Sequence, residues 1–323
     1  APEEMTMADR PSFTAERLVA LRRAVALATS PCGTWIAVQV QRHDPEMGKY
    51  VSDLWRVPVA GGEPAPLTRG KWNDQAPCFR RDGTLGFLSN RPTGESKLEA
   101  EDEERSQVWI LPAGGGEPRP LTDEPLGVSA FRFAEQADTL VALVPLLRDL
   151  PIADQRAHAA ERKKKGPSAL SYRRIPVRHW DHWLGDAWPH LVAFDGNGRN
   201  RRDLTPGVER ELVEAEWDLS ADGAWVATTE NRVGPDRLED RALWVLSTVG
   251  GAGHRLGVED CVRVYAPRFS PDGRTVACVH HRRSAQAAGK PELWLFDETR
   301  GAGRALAPRW DRWAQPRAWT PDG

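Results

Sequence analysis

The sequence predicts an all-β fold, a β-propeller of four-stranded blades with a short N-terminal helix ahead of it. Three signals that recur together point there. The first is a tight turn, whose glycines Gly33, Gly83, Gly223, Gly273 and Gly323 stand about 50 residues apart within each neighbouring run. The second is an apolar strand: Leu54-Trp55-Arg56-Val57, Val108-Trp109-Ile110-Leu111, Leu191-Val192-Ala193-Phe194, Leu243-Trp244-Val245-Leu246 and Leu293-Trp294-Leu295-Phe296. The third closes each unit: Leu67-Thr68, Leu121-Thr122, Leu204-Thr205, then the weaker Leu256-Gly257 and Leu306-Ala307. A period of about 40–50 residues with several strands per unit marks a propeller blade.

The fullest copy runs from Pro267 to Ala307. Ser270-Pro271-Asp272-Gly273 makes the turn, since Gly accepts positive φ and Asp bonds its own backbone. The expected third turn, near Phe131-Arg132-Phe133 and Asp138-Thr139-Leu140, has lost its glycine but keeps the following Val141-Ala142-Leu143-Val144. One such sheet cannot cover both its faces, so neighbouring sheets must stack. Trp55, Trp109, Trp244 and Trp294 are the natural wedges between them. Burying ~150–250 Å² each at ~25 cal/mol/Å² is worth roughly 4–6 kcal/mol per indole as an upper bound.

Composition narrows the function classes. With 44 Lys and Arg against 46 Asp and Glu, the net charge of −2 gives no footprint for nucleic acid or a membrane surface. No apolar run approaches the ~18 residues of a membrane span, no signal peptide opens the chain, and a cytoplasmic protein is expected. Cys32, Cys78, Cys261 and Cys278 lack metal or redox spacing and read as small buried or half-buried thiols. Cys32 stands where other turns carry Asp.

Along the chain, 1–12 reads as a disordered leader and 13–28 as a helix with its lead-in. Thr14 is the N-cap, and Leu18, Leu21 and Val25 lie along one face. The propeller is placed at 29–323, with blade one at about 29–68 and blade two at about 77–122. The acidic run Glu99-Ala100-Glu101-Asp102-Glu103-Glu104 reads as a solvated hairpin tip in blade two. Blade three is about thirty residues longer than the others, and the excess is an insertion at 150–189. It carries a basic amphipathic stretch from Arg156 to Lys165. The last residues, Thr320-Pro321-Asp322-Gly323, open another turn. The expectation is therefore an incomplete ring, about five complete blades plus the start of a sixth, in a piece of a longer protein.

Candidate site residues sit at the end of the insertion: Arg178, His179, Trp180, Asp181 and Trp183. A guanidinium, a carboxylate and two indoles can line a peptide-binding opening, the carboxylate holding a substrate amine. The same groups can equally lock the insertion onto its blade. His179, Asp181 and His182 lack a fourth partner at metal spacing, so no metal is assigned, and no cofactor is expected. There is no Gly-x-Ser-x-Gly elbow, since Gly166-Pro167-Ser168-Ala169-Leu170 lacks the last glycine. Gly114-Gly115-Gly116 and Gly250-Gly251 read as hairpin turns rather than phosphate loops. No catalytic residue is assigned within this chain.

Taken in order, several segments resemble the N-terminal propeller of the prolyl oligopeptidase family, in its acylaminoacyl-peptidase and dipeptidyl-peptidase-five-like branch. They are Phe13-Thr14-Ala15-Glu16-Arg17-Leu18 with Ser30-Pro31-Cys32-Gly33, Phe87-Leu88-Ser89-Asn90-Arg91, and Gly115-Gly116-Glu117-Pro118 with Leu121-Thr122. Gly127-Val128-Ser129-Ala130-Phe131 and Arg178-His179-Trp180-Asp181-His182-Trp183 with His190-Leu191 complete the set, the last being the most specific. The resemblance implies a propeller that caps a C-terminal α/β-hydrolase domain carrying a Ser-Asp-His triad beyond Gly323. It implies short peptides as substrates, folded proteins being excluded by size. A clear Glu-Glu anchor on a helix is lacking, although Glu103-Glu104 stands in another context. Dipeptidyl, acylaminoacyl and endopeptidase preferences stay open, as does homo-oligomerisation. The alternative is a freestanding propeller of the Tol-system kind that binds a protein or peptide.

Overall fold

The computed structural model describes residues 14–92, 105–166, 169, 177–179, 181–234, 238–283, 289–297, 301 and 303–323. The expected leader at 1–12 and the acidic run Glu99–Glu104 lie outside the described residues.

Thr14 caps α1 (Ala15–Val19), its hydroxyl accepting the Arg17 N–H at 3.3 Å. The helix is shorter than the expected reach to Val25, because the chain enters β1 (Arg23–Thr29) almost at once. Ala24, Ala26 and Ala28 alternate with Val25 and Leu27 at the period of a strand, and pairing with β2 decides the conformation.

Each repeat is a four-stranded antiparallel meander. The first holds β1, β2 (Trp35–Asp44), β3 (Lys49–Pro58) and β4 (Ala65–Pro66). The second holds β5 (Gln75–Phe79), β6 (Leu85–Ser89), β7 (Gln107–Leu111) and β8 (Arg119–Pro120). In the third, β9 (Ala130–Phe133) and β10 (Thr139–Leu147) are followed by the insertion, which contributes α2 (Ile152–Lys165) and the two-residue strands β11 (Arg178–His179) and β12 (His182–Trp183). The sheet resumes with β13 (Ala187–Asp195) and β14 (Arg202–Asp203). The fourth unit is β15 (Trp217–Leu219), β16 (Trp225–Val233), β17 (Glu239–Ser247) and β18 (His254–Leu256). The fifth is β19 (Val262–Phe269), β20 (Thr275–Arg282), β21 (Pro291–Asp297) and β22 (Gly303–Ala305), joined to the fourth by one parallel bridge, Arg241 to Arg263.

The recurring sequence signals are recurring bonds. In the turns, Gly223 N–H donates to the Ser220 carbonyl and Gly273 N–H to the Ser270 carbonyl, each at 2.9 Å with φ near +70°. Asp222 and Asp272 accept the backbone N–H two residues on, at 3.0 and 3.1 Å. The glycine-free third turn still closes, through Ala134 N–H to the Thr139 carbonyl at 2.9 Å. In the closing signal, the leucine N–H donates back across the sheet and the threonine hydroxyl accepts the N–H of the same cross-strand residue. Thus Thr68, Thr122 and Thr205 receive Leu54, Val108 and Leu191 at 2.9, 2.9 and 3.0 Å.

Apolar clusters fill the spaces between consecutive sheets. Ala37 and Leu54 meet Phe87 and Trp109; Val108 and Ile110 meet Phe131 and Leu140; Val141 and Leu191 meet Trp217 and Val226; Leu243 and Val245 meet Val264 and Phe296. Trp109 is buried between the first two sheets, and Trp244 and Trp294 pack half-buried against the later clusters. Trp55 is half-buried, with the Arg22 guanidinium 6.0 Å from its ring centre. On β6, Gly86 leaves the room into which Phe133 of the next sheet presses, so any Cβ there clashes with the ring.

Two expectations are testable here. Thr122→Val leaves the buried Val108 N–H without its acceptor and removes one of two donors to Gln107 Oε1, the Glu124 N–H at 3.0 Å remaining. A loss of about 1–3 kcal/mol is expected in urea denaturation, with Thr122→Ser recovering most of it. His280 is buried, stacks on Trp294 at 4.2 Å, and has no partner for Nε2 among the described residues. Burial holds its imidazole below the ordinary value. The unfolded chain therefore takes up this proton near pH ~6.5 while the fold resists it to lower pH. Stability should fall as pH drops below that value, and His280→Phe should flatten this part of the profile in urea midpoints measured from pH 8 to 5.

Candidate functional site

The first strands of consecutive sheets, β1, β5, β9, β15 and β19, pack against one another and form the inner wall of the stack. One register position repeats on them. Ala28 pairs with Ala37, Cys78 with Gly86, Arg132 with Val141, Asp218 with Ala227 and Arg268 with Ala277. Small residues occupy this position in the first two sheets and charged ones in the next three.

Two of these charges touch, and the third acts on them through its field. Arg132 Nη1 lies 3.6 Å from Asp218 Oδ1, with its guanidinium 5.6 Å from the Trp217 ring centre. Asp218 Oδ2 accepts the Phe269 N–H at 2.9 Å, so the carboxylate also ties the fourth sheet to the fifth. Burial pushes the Asp218 carboxyl upward, while Arg132, the Phe269 amide and Arg268 pull it back. Burial likewise lowers Arg268, partly countered by Asp218. Its Nη1 donates to the Pro267 carbonyl at 2.6 Å. The arrangement is two guanidiniums around one carboxylate, a patch that can bind the polar backbone and charged ends of an extended chain. Reading residues one motif at a time missed it, although aligning the repeats on their turn glycines puts Asp218 and Arg268 in one column.

The insertion lies at the opposite end of the third sheet from the turn. Its basic stretch is helical, and Gly166 ends α2 in the left-handed region at φ +54°. One buried side chain anchors it: Gln155 Oε1 accepts the Leu147 N–H at 3.0 Å, and its Nε2 donates to the Leu147 and Leu150 carbonyls. Arg156 reaches Asp123 of the second sheet's exit at 2.6 Å, and Arg162 pairs with Asp186.

Of the sequence-predicted residues, Arg178 and His179 form β11, which pairs with β12 through Arg178–Trp183 and His179–His182. The Arg178 guanidinium lies 6.0 Å from the Trp183 ring. Trp183 is 59% exposed, and Arg178 and Asp181 are exposed as well. Trp180 lies outside the described residues. The structure thus brings Arg178 and Trp183 together on a projecting hairpin and does not bury Trp183 against the blade. Among the described residues no group of three or more His, Cys, Asp or Glu could hold a metal ion. The four thiols are free, with Cys32 exposed rather than half-buried and drawn down to about 7 by hydrogen bonds with Ser30 and Thr34.

Comparison with known proteins places this geometry. No protein-family model matches the chain. The chain is 23% identical, over an alignment taking in 96% of it and 45% of the relative, to dipeptidyl-peptidase 5 of Porphyromonas gingivalis. It is 25% identical, over 68% of it and 31% of the relative, to the uncharacterized peptidase YuxL of Bacillus subtilis. The chain therefore spans less than half the length of these curated relatives. Among solved structures, the acylaminoacyl peptidase of Pyrococcus horikoshii aligns over 94% of this chain and 42% of its own, with TM-score 0.62 and 10% identity. The propeller domain of the trilobed protease from Pyrococcus furiosus aligns over 91% and 73%, with TM-score 0.54 and 10% identity. The fold is a mostly-β propeller type, and the resemblance to the propeller portion of the prolyl oligopeptidase family holds.

The exposure of the hairpin separates its two readings. Trp183→Ala and Arg178→Ala should each change the urea midpoint by less than about 0.5 kcal/mol, as for surface positions. A larger loss would mean that the hairpin clamps the insertion to the sheet.

Proposed function

We propose that this chain is the substrate-gating propeller of a serine peptidase that releases N-terminal aminoacyl, acylaminoacyl or dipeptidyl units from short peptides. In this reading the catalytic Ser-Asp-His domain belongs to the part of such proteins that the chain does not span. The propeller comprises residues 29–323, about five blades and the opening of a sixth, in a cytoplasmic enzyme. The single observation that carries the reading is similarity along 96% of the chain to a protein named as a dipeptidyl-peptidase. The inner-wall charges fit the role, because a peptide passing along the axis would meet Arg132, Asp218 and Arg268 in succession. The segment carrying Arg178, His179, Trp180, Asp181 and Trp183 is the proposed second contact.

The reading is tested with the full-length gene product. Dipeptidyl and N-acylaminoacyl anilides should be hydrolysed, and a fluorophosphonate should label one serine outside residues 1–323 and abolish turnover. Arg132→Gln should raise KM for short peptides several-fold while leaving the fluorophosphonate labelling rate unchanged. Absence of both hydrolysis and serine labelling would remove the peptidase reading and leave a binding propeller.

A further inference from the structure

A cavity of about 260 Å³ lies between the end of β10, the first turn of α2 and the segment after β14. Its apolar walls are Leu146, Leu150, Ile152 and Val208, and its polar ones include His190 and Asp203. Liquid water takes ~30 Å³ per molecule, so roughly eight waters or one small organic molecule would fill it.

His190 is nine-tenths buried, at 9% exposure. Its Nδ1 lies 2.9 Å from Asp203 Oδ2, and Asp203 Oδ1 accepts the Thr205 N–H at 2.9 Å. Burial works against the charge of Asp203, yet the hydrogen bonds from His190 and the Thr205 amide hold its carboxyl below the ordinary carboxylate value. A carboxylate can only accept, so a ring with a single proton carries it on Nδ1 and keeps the lone pair of Nε2. No group among the described residues bonds Nε2.

The sheet does not require this pair. Asp203 stands two residues before the closing Thr205, where the first two sheets have Pro66 and Pro120 before Thr68 and Thr122. The backbone also closes with proline there, so the contact with His190 is additional to the one bond, from the Thr205 N–H, that the carboxylate gives the sheet. The surrounding charge is negative: Arg148, which lines the cavity, is engaged by Asp149 at 3.1 Å and by Glu209, Arg201, whose charge reaches Asp203, is engaged by Glu124 at 2.9 Å, and Asp203 adds a further carboxylate.

We propose that this cavity binds a small organic cation, a primary ammonium on a short apolar chain. The ammonium would donate to His190 Nε2 in the field of Asp203, and the chain would lie against Leu150, Ile152 and Val208. An anion would meet a net negative site, and a neutral alcohol would gain the hydrogen bond without the field. Gln155, which fastens α2 to the sheet, lines the same cavity, so occupancy should also firm the base of the helix. The inference is independent of the peptidase reading.

The test titrates the protein with n-butylammonium, n-butanol and butyrate, following the His190 ring nitrogens by NMR and amide exchange in residues 147–160. Expected is saturable binding of n-butylammonium at least tenfold tighter than either other probe, with slowed exchange at the start of α2. Asp203→Asn, which keeps the shape, should weaken it at least tenfold, and Asp203→Pro, as in the first two sheets, should abolish it. Equal binding of the three probes, preference for butyrate, no binding, or ammonium binding undiminished in Asp203→Asn would each overturn the proposal.

Discussion

Everything in this molecule follows from the two-faced burial of short, apolar sheets. Strands such as β10 and β16 are buried on both faces, Leu140, Val141 and Ala142 being inaccessible in succession. No single meander can achieve this; each needs a neighbour on both sides. Among the described residues the first and fifth sheets have such a neighbour on one side only. Leu27 is 67% exposed, and Leu293 and Leu295 line a cavity of about 890 Å³. Across that cavity Trp319 donates from Nε1 to the Arg268 carbonyl at 3.1 Å and begins to cover the fifth sheet as Phe269 covers the fourth.

Stacking also decides where charge can be kept. Asp74, Glu124, Glu230 and Asp240 are buried, and each holds an arginine: Arg91, Arg201, Arg255 and Arg283. A buried carboxylate without its partner costs about 3–5 kcal/mol, so each pair is fixed once the sheets meet. Three of the four carboxylates lie on or beside the links and strand ends opposite the glycine turns. There Asp240 also accepts the Cys261 N–H at 3.0 Å and so joins the fourth unit to the fifth. The insertion grows from that same polar end. Additional segments can be accommodated there because the end is hydrogen-bonded rather than packed.

The repeat was legible because each of its signals is a bond: the turn glycine, the turn aspartate and the closing threonine all satisfy named backbone groups. The N-terminal helix was over-extended because Leu18, Leu21 and Val25 fit a helical spacing locally, while the pairing of β1 with β2 is a non-local fact. The Arg178–Trp183 hairpin was visible as a cluster, but its exposure was not, since nothing in the order of residues says which side of an insertion meets the sheet. Arg132 escaped notice for a different reason. The turn that would index it lacks its glycine, so its column was hidden.

A repeat also supplies its own control. Where a copy departs from the others and the local bond is still made, the departing side chain is free to serve something else. Cys32 replaces the turn aspartate, yet Gly33 N–H still reaches the Ser30 carbonyl at 2.8 Å. Asp203 replaces a proline, yet Leu204 N–H and the Thr205 hydroxyl still close the sheet. Arg132, Asp218 and Arg268 replace small residues, yet their pairing register is unchanged. These departures differ in one respect. Cys32 is exposed and bonds only its own turn, whereas Asp203 meets a buried imidazole and Asp218 meets Arg132 across a sheet boundary. Asp218 and Asp203 each also accept one backbone N–H, so at these positions a single carboxylate both ties the sheets and holds a second charged or polar group in place.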